Sequence, residues 1–489
     1  MIKFEYDHKK QQALIVTEDA NILTEMREYF SVKNENAHFM RRFGRFVPPR
    51  TYAITPTGRF EPGMFFEIKK FLIQKQYVGQ VAVSSDLLNT IAPAQNSWHN
   101  HPSFTYDAFS LKIIQRDYQR EIVRKGLEIG RGTIVLATAG GKTLTAATLL
   151  SNIYTYSTNF KCLFIVPDRG LVEQTTQDFI DYGVPFSVSK WTGDDNLNLS
   201  TDVIVANLGI LQSKNTDLKW LDQLSILFVD EVHKIRKGNE INKIFKLVKT
   251  PHRFGLTGTL PEGNLDQWNI IGKIGPIIYE KNSKDLRDDK YIANAHIQVI
   301  KLVHKNRIIN SQINRNNVAE NYRREVETLI KSEFRNSTIT RLTTQLNNNS
   351  LVLVDFIEHG EILFNRIKSE NPTKQVFFIR GDVEVEERER IRQLIEKSSN
   401  VIIVAISKIF STGINIKNLH YIIFACGGKA KIKIVQSIGR GLRLHKDKSK
   451  LIIFDIADNY KYSQEHLEKR LTLYEKEHIN FAIKEIQEK

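Results

Sequence analysis

Thr133-Ile134-Val135-Leu136-Ala137-Thr138-Ala139-Gly140-Gly141-Lys142-Thr143 is the stretch on which the reading of the fold turns. Thr133 to Leu136 is apolar and β-branched, as a strand buried on both faces should be. Gly140-Gly141 lets the backbone turn tightly, and Lys142-Thr143 opens an Ala- and Leu-rich helix that runs to about Ile153. A strand, a glycine turn and a Lys-Thr at a helix start make a phosphate cradle. Free N–H groups and the helix dipole face an anion, Lys142 reaches the β/γ-phosphates, and the Thr143 hydroxyl can ligate Mg²⁺.

Outward from this loop, apolar runs alternate with helical patterns. Thr133–Leu136, Leu163–Val166, Val203–Ala206 and Ile226–Val229 predict one parallel sheet covered on both faces. The pattern recurs at Leu351–Val354, Gln375–Ile379, Val401–Ile406, Tyr421–Ala425 and Leu451–Asp455. Between the two sets, residues 306–345 are polar and read as helical, and the tail from about Ser463 is expected to be amphipathic helix. Asn96 to Tyr106 is polar, contains Pro102 and reads as a linker.

The first 95 residues differ in character. Ala13–Val16 reads as a strand, and Asn21–Phe30 and Phe65–Gln74 as helices. Arg41, Arg42, Arg45, Arg50 and Arg59 fall between Glu35 and Glu61 with no acid among them, interleaved with Phe39, Phe43 and Phe46. Such a segment suits phosphates and base stacking; the other reading is a hairpin with core aromatics and solvated arginines. The net charge of +15 on 489 residues also suggests a polyanionic partner. The two cysteines, Cys162 and Cys426, lie in apolar runs and read as buried free thiols of a reducing compartment. The first residues do not resemble a signal peptide, and no apolar run is long enough to span a bilayer, so a soluble intracellular protein without a membrane partner is expected.

Other segments carry chemistry. The Gln119 amide, a short way before the phosphate loop, offers a donor and an acceptor that suit adenine. Pro167-Asp168-Arg169 and Asn207 end two strands, where open α/β sheets bind ligands; Arg169 could meet a phosphodiester or form a local salt bridge. Asp230 and Glu231 end the strand Ile226–Val229. Adjacent carboxylates there are costly without a metal, so Asp230 is expected to help hold Mg²⁺ and Glu231 to take a proton from the attacking water. His233 can couple the nucleotide to the next segment, where Thr257 and Thr259 supply hydroxyls. If Gln436–Arg443 is helical, Gln436, Arg440 and Arg443 share a face and can reach a γ-phosphate; the other reading is a solvated basic turn.

As an ordered set, Gln119, Ala139–Thr143, Pro167–Leu171, Asp230–His233, Thr257–Thr259, Thr412–Gly413 and Gln436–Arg443 resemble a superfamily-2 helicase over about residues 111 to 460. The Asp-Glu-x-His form and the small N-terminal domain are similar, more narrowly, to the bacteriophage branch-migration helicases of the UvsW type. The resemblance implies an α/β fold of two tandem RecA-like parallel-sheet domains, preceded by a small α+β N-terminal domain. The expected divisions are an N-terminal nucleic-acid-binding domain 1–95, a linker 96–110, RecA-like domains 111–280 and 281–462, and a helical tail 463–489. It implies ATP and Mg²⁺, with nucleotide held by Arg116, Gln119, Thr138, Ala139, Gly140, Gly141, Lys142, Thr143 and Gly413, and metal by Thr143 and Asp230. Lys142, Asp230, Glu231, Gln436, Arg440 and Arg443 would carry catalysis, and His233, Thr257 and Thr259 the coupling. Pro167, Arg169, Asn207, Arg380, Gly381 and Thr412 would touch a DNA strand, with Arg41, Arg42 and Arg45 as further contacts. Ala137 stands where many relatives have Pro, Ala139 where many have Gly, and Asn207 where Thr is frequent. The expected activity is ATP-dependent remodelling of branched DNA by a monomer in the cytoplasm of a bacterial host. A duplex translocase of restriction-motor type, an RNA helicase and a non-enzymatic nucleic-acid-binding protein are the alternatives.

Overall fold

The computed structural model describes residues 1–34, 47–77, 81–107, 109–213, 216–235, 241–305, 318–380, 390–391, 393–394, 397–407, 418–426 and 450–488. They divide into two compact units, residues 1–136 with 141–281 and residues 282–489 with the short turn 137–140.

The first unit begins with a mixed sheet. Strands β1 (Ile2–Asp7), β2 (Gln12–Thr17), β5 (Arg59–Phe60) and β6 (Val81–Val83) are ordered β5-β2-β1-β6, with β1 antiparallel to β2 and parallel to β6. The short strands β3 (Ser31–Lys33) and β4 (Arg50–Tyr52) form a separate hairpin. Helices Ala20–Tyr29 and Phe65–Gln74 pack on the sheet, their buried Ile22, Met26, Ile68, Phe71 and Leu72 meeting Phe4, Ile15 and Phe60. The α+β character read from the sequence is thus present.

Seven strands form the following sheet: β7 (Gly132–Leu136), β8 (Cys162–Val166), β9 (Val188–Trp191), β10 (Val203–Asn207), β11 (Ile226–Val229), β12 (Arg253–Thr257) and β13 (Ile277–Lys281). They are ordered β13-β7-β12-β11-β8-β10-β9, every pair parallel. Strands β7, β8, β10 and β11 are buried along their whole length, which is why they read as unbroken apolar runs. Because all run one way, the segments after β7, β8, β10, β11 and β12 emerge at the same edge.

The N-terminal sheet and this sheet are joined by burial. Trp268, on the helix Asn264–Lys273, packs into the N-terminal core and meets Phe30 edge-on at 5.4 Å. Lys273 Nζ donates to Glu61 Oε1 at 2.7 Å. Gly63 lies so close to that helix that a Cβ would stand 2.0 Å from Ile271 O, so only glycine fits. Of the segment expected as a linker, residues 96–107 are docked instead. Trp98 is buried, donates its Nε1–H to Leu127 O at 2.7 Å and packs against His252. An indole that finds a carbonyl as well as apolar cover has reason not to remain in solvent.

The second unit holds β14 (Asn294–Val303), β15 (Ser350–Val354), β16 (Val376–Ile379), β17 (Ile402–Ile406), β18 (Tyr421–Phe424), β19 (Lys450–Asp458) and β20 (Asn480–Gln487), ordered β16-β17-β15-β18-β19-β14-β20. This sheet too is parallel throughout. Helices Val318–Lys331 and Glu333–Gln345 occupy most of the polar region read as helical. The tail differs from expectation. Helix Lys461–Lys476 forms, but His478 takes a left-handed φ of 49° and the chain then becomes strand β20. The spacing of Phe481, Ile483 and Ile486 suits either state; the ladder along β14 decides it. Buried ion pairs fasten the surrounding helices: Arg470 Nε and the Tyr474 hydroxyl both donate to Asp455 Oδ2 at 2.9 Å, and Arg335 Nε donates to Asp458 at 2.9 Å. Among the described residues no helix is long and apolar enough to cross a membrane.

Candidate active site

The site grows from the edge where β7, β11 and β12 end. After β7 the chain turns through Ala137–Gly141. Gly140 N–H donates to Ala137 O at 3.0 Å, and Ala139 (φ 68°) and Gly141 (φ 80°) are left-handed. At Gly141 a Cβ would fall 2.4 Å from Gln119 Nε2, so this glycine is required by both its φ and its neighbour. Ala139 tolerates a conformation glycine would adopt more easily, the kind of strain that collects at functional turns. Helix Lys142–Thr155 then starts with no side-chain cap. Its first N–H groups are left for another acceptor, which is the condition for anion binding.

Lys142 Nζ lies 3.4 Å from Leu136 O and makes no ion pair among the described residues. Gln119 is buried. Its Oε1 accepts from Arg116 N–H at 2.9 Å and its Nε2 reaches Gly141 O at 3.4 Å, so it ties its own helix start to the glycine turn. Arg116 Nη1 donates to the Tyr118 hydroxyl at 3.0 Å.

Across the sheet edge, Asp230 N–H donates to Ile165 O at 2.8 Å, which extends the ladder one residue past β11. Glu231 N–H then turns back onto Asp230 Oδ1 at 2.9 Å, with Glu231 left-handed at φ 52°. A non-glycine residue there costs energy, and it aims two adjacent carboxylates at one edge. Burial, and then the charge of Glu231, push the Asp230 carboxyl above the usual range. Burial acts on Glu231 in the same sense, but the charge of Lys142, the contact with His233 and the charge of Lys234 outweigh it and hold Glu231 low. The pair therefore resists carrying two negative charges at once unless a further cation stands beside it. A divalent cation suits such a pair, and Mg²⁺ is commonly held by one or two carboxylates plus substrate phosphates. Asp230 has the chemistry for that role, and Thr143 is the second residue of the helix that begins at Lys142.

His233 is buried, with Nδ1 3.0 Å from Thr257 Oγ1 and 3.1 Å from Glu231 Oε2. The single Thr257 hydroxyl proton goes to Thr259 O at 2.7 Å, so the imidazole must be the donor to Thr257 Oγ1 and Nδ1 carries the proton. The sequence-read residues Glu231, His233, Thr257 and Thr259 thus form one chain of contacts.

Within the first unit the strand-end residues Asp168, Arg169 and Asn207 lie along the same edge. Asp168 caps helix Arg169–Tyr182, accepting from Leu171 N–H at 3.2 Å, and Arg169 is ion-paired with Asp194. Asn207, at the end of β10, is buried, and its Oδ1 has no hydrogen-bond partner among the described residues. Arg380, following β16 in the second unit, pairs with Glu361 at 2.9 Å. Asp194 and Glu361 were not legible as partners, since no motif marks them. The two arginines of the N-terminal cluster that are described are also paired: Arg50 with Glu28 at 3.2 Å and Arg59 with Asp7 at 2.6 Å. Arg41, Arg42, Arg45, Gly381, Thr412, Gly413, Gln436, Arg440 and Arg443 lie outside the described residues.

Two family models match the chain: Type III restriction enzyme, res subunit, over residues 112–262, and Helicase conserved C-terminal domain over residues 335–445. The ATP-dependent DNA helicase uvsW of Enterobacteria phage T4 is 29% identical over 448 residues, which cover 89% of this chain and 86% of the relative. The DNA 3'-5' translocase XPB2 of Sulfurisphaera tokodaii is 27% identical over 374 residues, 70% of this chain and 81% of the relative. A fragment of a putative HsdR subunit of a type I restriction enzyme from Vibrio vulnificus shares the fold, with a TM-score of 0.56 at 16% identity over 77% of this chain and 69% of that one. The two parallel sheets are tandem RecA-like domains. By its ordered motifs, the two matched models and these relatives, the chain is similar to the superfamily-2 helicases and, among them, to the UvsW type.

Proposed function

We propose that the chain is an ATP-dependent DNA helicase or translocase that unwinds or branch-migrates branched DNA, with forks, Holliday junctions and R-loops as substrates, in phage recombination, repair and replication. The observation that carries this reading is the half-buried Asp230–Glu231 pair, with Glu231 left-handed and the charge of Lys142, at the start of the uncapped helix, acting on both carboxyls. Lys142 and the N–H groups after Gly141 bind the nucleotide phosphates. Asp230 and Thr143 hold Mg²⁺, which when bound neutralises phosphate charge. Glu231, kept ionised, accepts the proton of the attacking water. His233 and Thr257 link that carboxylate to the segment ending at Thr259, so a change at Glu231 can be passed along the edge. Pro167, Arg169, Asn207, Arg380, Gly381 and Thr412 are proposed to follow one DNA strand. Arg41, Arg42 and Arg45 are proposed to hold a second arm of the junction. The protein is proposed to act as a monomer in the host cytoplasm.

ATP turnover and strand displacement on a blunt duplex, a forked duplex, a four-way junction and an R-loop, matched in length, test the reading. Branched substrates are expected to be processed faster than the blunt duplex. Displacement of a third strand from the blunt duplex, with no preference for branches, would favour the duplex translocase. That second reading draws on the match of residues 112–262 to the restriction-enzyme model.

Arg440 and Arg443 are proposed to stabilise the transferring phosphoryl group. Arg443→Ala is expected to lower turnover by roughly 10³-fold or more while leaving nucleotide affinity within a few-fold, because such an arginine acts mainly in the transition state. Steady-state kinetics checks this. A change confined to the Michaelis constant would contradict the role.

A further inference from the structure

Within the first unit, at the seam between the N-terminal sheet and the motor sheet, lies a cavity of about 240 Å³. Its walls include Tyr6, Asn89 and Thr90 from the N-terminal side and Arg131, Lys249 and Arg253 from the motor side. Arg131 is 2% exposed. Its Nε donates to Ile274 O at 2.8 Å, Nη1 to Thr90 O at 2.8 Å and Nη2 to Lys273 O at 3.1 Å. Arg253 donates to Val248 O at 2.8 Å, Thr250 O at 3.0 Å and Gln11 Oε1 at 3.3 Å. Every one of these acceptors is neutral. The acid that shares this region, Glu61, already holds Lys273 at 2.7 Å. Asp86 also lines the cavity, but it is exposed and faces His8 at 3.2 Å, and Lys249 faces Asp222 at 3.3 Å.

Buried guanidiniums are normally paired with an anion, because neutral carbonyls do not offset the loss of hydration of a full charge. Here burial, with the charge of Arg253 beside it, pushes Arg131 down to about 9, and burial also pushes Arg253 down. Both stay protonated near neutral pH. A guanidinium has five N–H donors, and three of those on Arg131 are taken, so two are left. The hydroxyl of Tyr6 and the amide of Asn89 add neutral donors around the same space, while the Thr90 hydroxyl donates to Asp86 O at 2.8 Å.

We propose that this cavity is a phosphate-binding site, distinct from the nucleotide loop, in which Arg131 and Arg253 receive a phosphoryl group at the seam between the N-terminal domain and the motor. Two arginines with a lysine at the rim match a dianion better than a monoanion, and the guanidinium fork matches phosphate oxygens. The volume falls below the roughly 300–1,000 Å³ of pockets for drug-sized ligands, so a phosphate fits and a nucleotide does not. Free inorganic phosphate and the 5′-terminal phosphate of a DNA strand share this chemistry. Either would bridge the two sides of the seam and tighten their docking.

The test uses the full chain and sodium phosphate against sodium chloride at equal ionic strength, followed by calorimetric titration and thermal unfolding. Wild type and Lys142→Ala are both expected to bind phosphate at the seam and to melt higher in it. Asn89→Glu puts a carboxylate at an exposed wall position and is expected to weaken that binding by about tenfold or more, through like-charge repulsion, without unfolding the chain. Arg253→Gln should act in the same direction; if it does not fold, Asn89→Glu decides. A phosphate response that disappears in Lys142→Ala and is unchanged in Asn89→Glu would place the anion in the nucleotide loop and overturn the proposal, as would equal responses to phosphate and chloride. A parallel arm compares 5′-phosphorylated with 5′-hydroxyl oligonucleotides. A preference for the phosphorylated end that Asn89→Glu removes assigns the site to a DNA terminus; equal binding of both ends, with phosphate binding retained, assigns it to free phosphate.

Discussion

Lys142→Ala is expected to reduce ATP turnover by roughly 10²–10³-fold or more, the loss typical of removing one charged or dipolar stabiliser of a transition state, and to leave DNA binding without nucleotide largely unchanged. Lys142 is the first residue of its helix, and its Nζ has only a long contact with Leu136 O, so the ammonium is not spent on holding the fold. Alanine is a strong helix former, and the helix behind it is anchored by the buried Ala146, Ala147, Leu149 and Leu150, so little stability should be lost. The charge matters for what it faces. Lys142 pulls down the carboxyls of both Asp230 and Glu231, and without it the edge carries two half-buried carboxylates with no lysine of the loop to balance them. Nucleotide phosphates would then meet more negative charge with one cation fewer. Measuring DNA-stimulated ATP hydrolysis beside DNA affinity without nucleotide checks this. Near-normal turnover would show that the loop does not hold the reacting phosphates.

The motor was legible where local chemistry and fold agree. Strands β7, β8, β10 and β11 are buried on both faces, so their sequences must be continuously apolar, and the residue after each run must sit at one edge of a parallel sheet. That logic was enough to place Lys142, Asp230, Asn207 and Thr257 along that edge. It fails for contacts set by distant chain segments. Nothing local marks the partners of Arg50 and Arg59: folding brings Arg50 to Glu28, and Arg59 to Asp7 although Glu61 is two residues away. Arg131 reads as one polar residue before a strand, and only the fold buries it against Thr90 and Lys273. Trp268 belongs by sequence to the motor and by packing to the N-terminal core. Residues 480–487 can be helix or strand by local pattern, and the choice depends on an open edge of β14 nearly two hundred residues earlier. Patterns of period record one element's own burial; they do not record which partner does the burying.

Glu231→Gln is expected to bind ATP with Mg²⁺ about as well as wild type, to hydrolyse it roughly 10²–10⁴-fold more slowly, and to hold DNA longer in the ATP state. The substitution preserves shape. A glutamine can occupy the left-handed position at a strain similar to glutamate, keep its N–H on Asp230 Oδ1 and still place its amide beside His233. What it lacks is the ability to take a proton. The lost charge also acts on the neighbour: Glu231 is, after burial, the largest influence pushing Asp230 up, so its removal should leave Asp230 at least as ready to carry negative charge toward a cation. Binding and chemistry are therefore expected to separate in this one variant, whereas Lys142→Ala should damage both. The prolonged DNA complex follows because release is taken to need hydrolysis, which the variant reaches slowly. Nucleotide affinity from equilibrium titration, single-turnover hydrolysis and DNA dissociation with ATP present are the three measurements. If ATP binding is lost together with turnover while the variant stays folded, Glu231 serves to shape the loop, and the proton acceptor has to be sought among other residues at this edge. If binding and turnover both survive, the water is activated elsewhere. Only intact binding with slow hydrolysis fits a carboxylate that burial would neutralise and that Lys142 and His233 keep ionised.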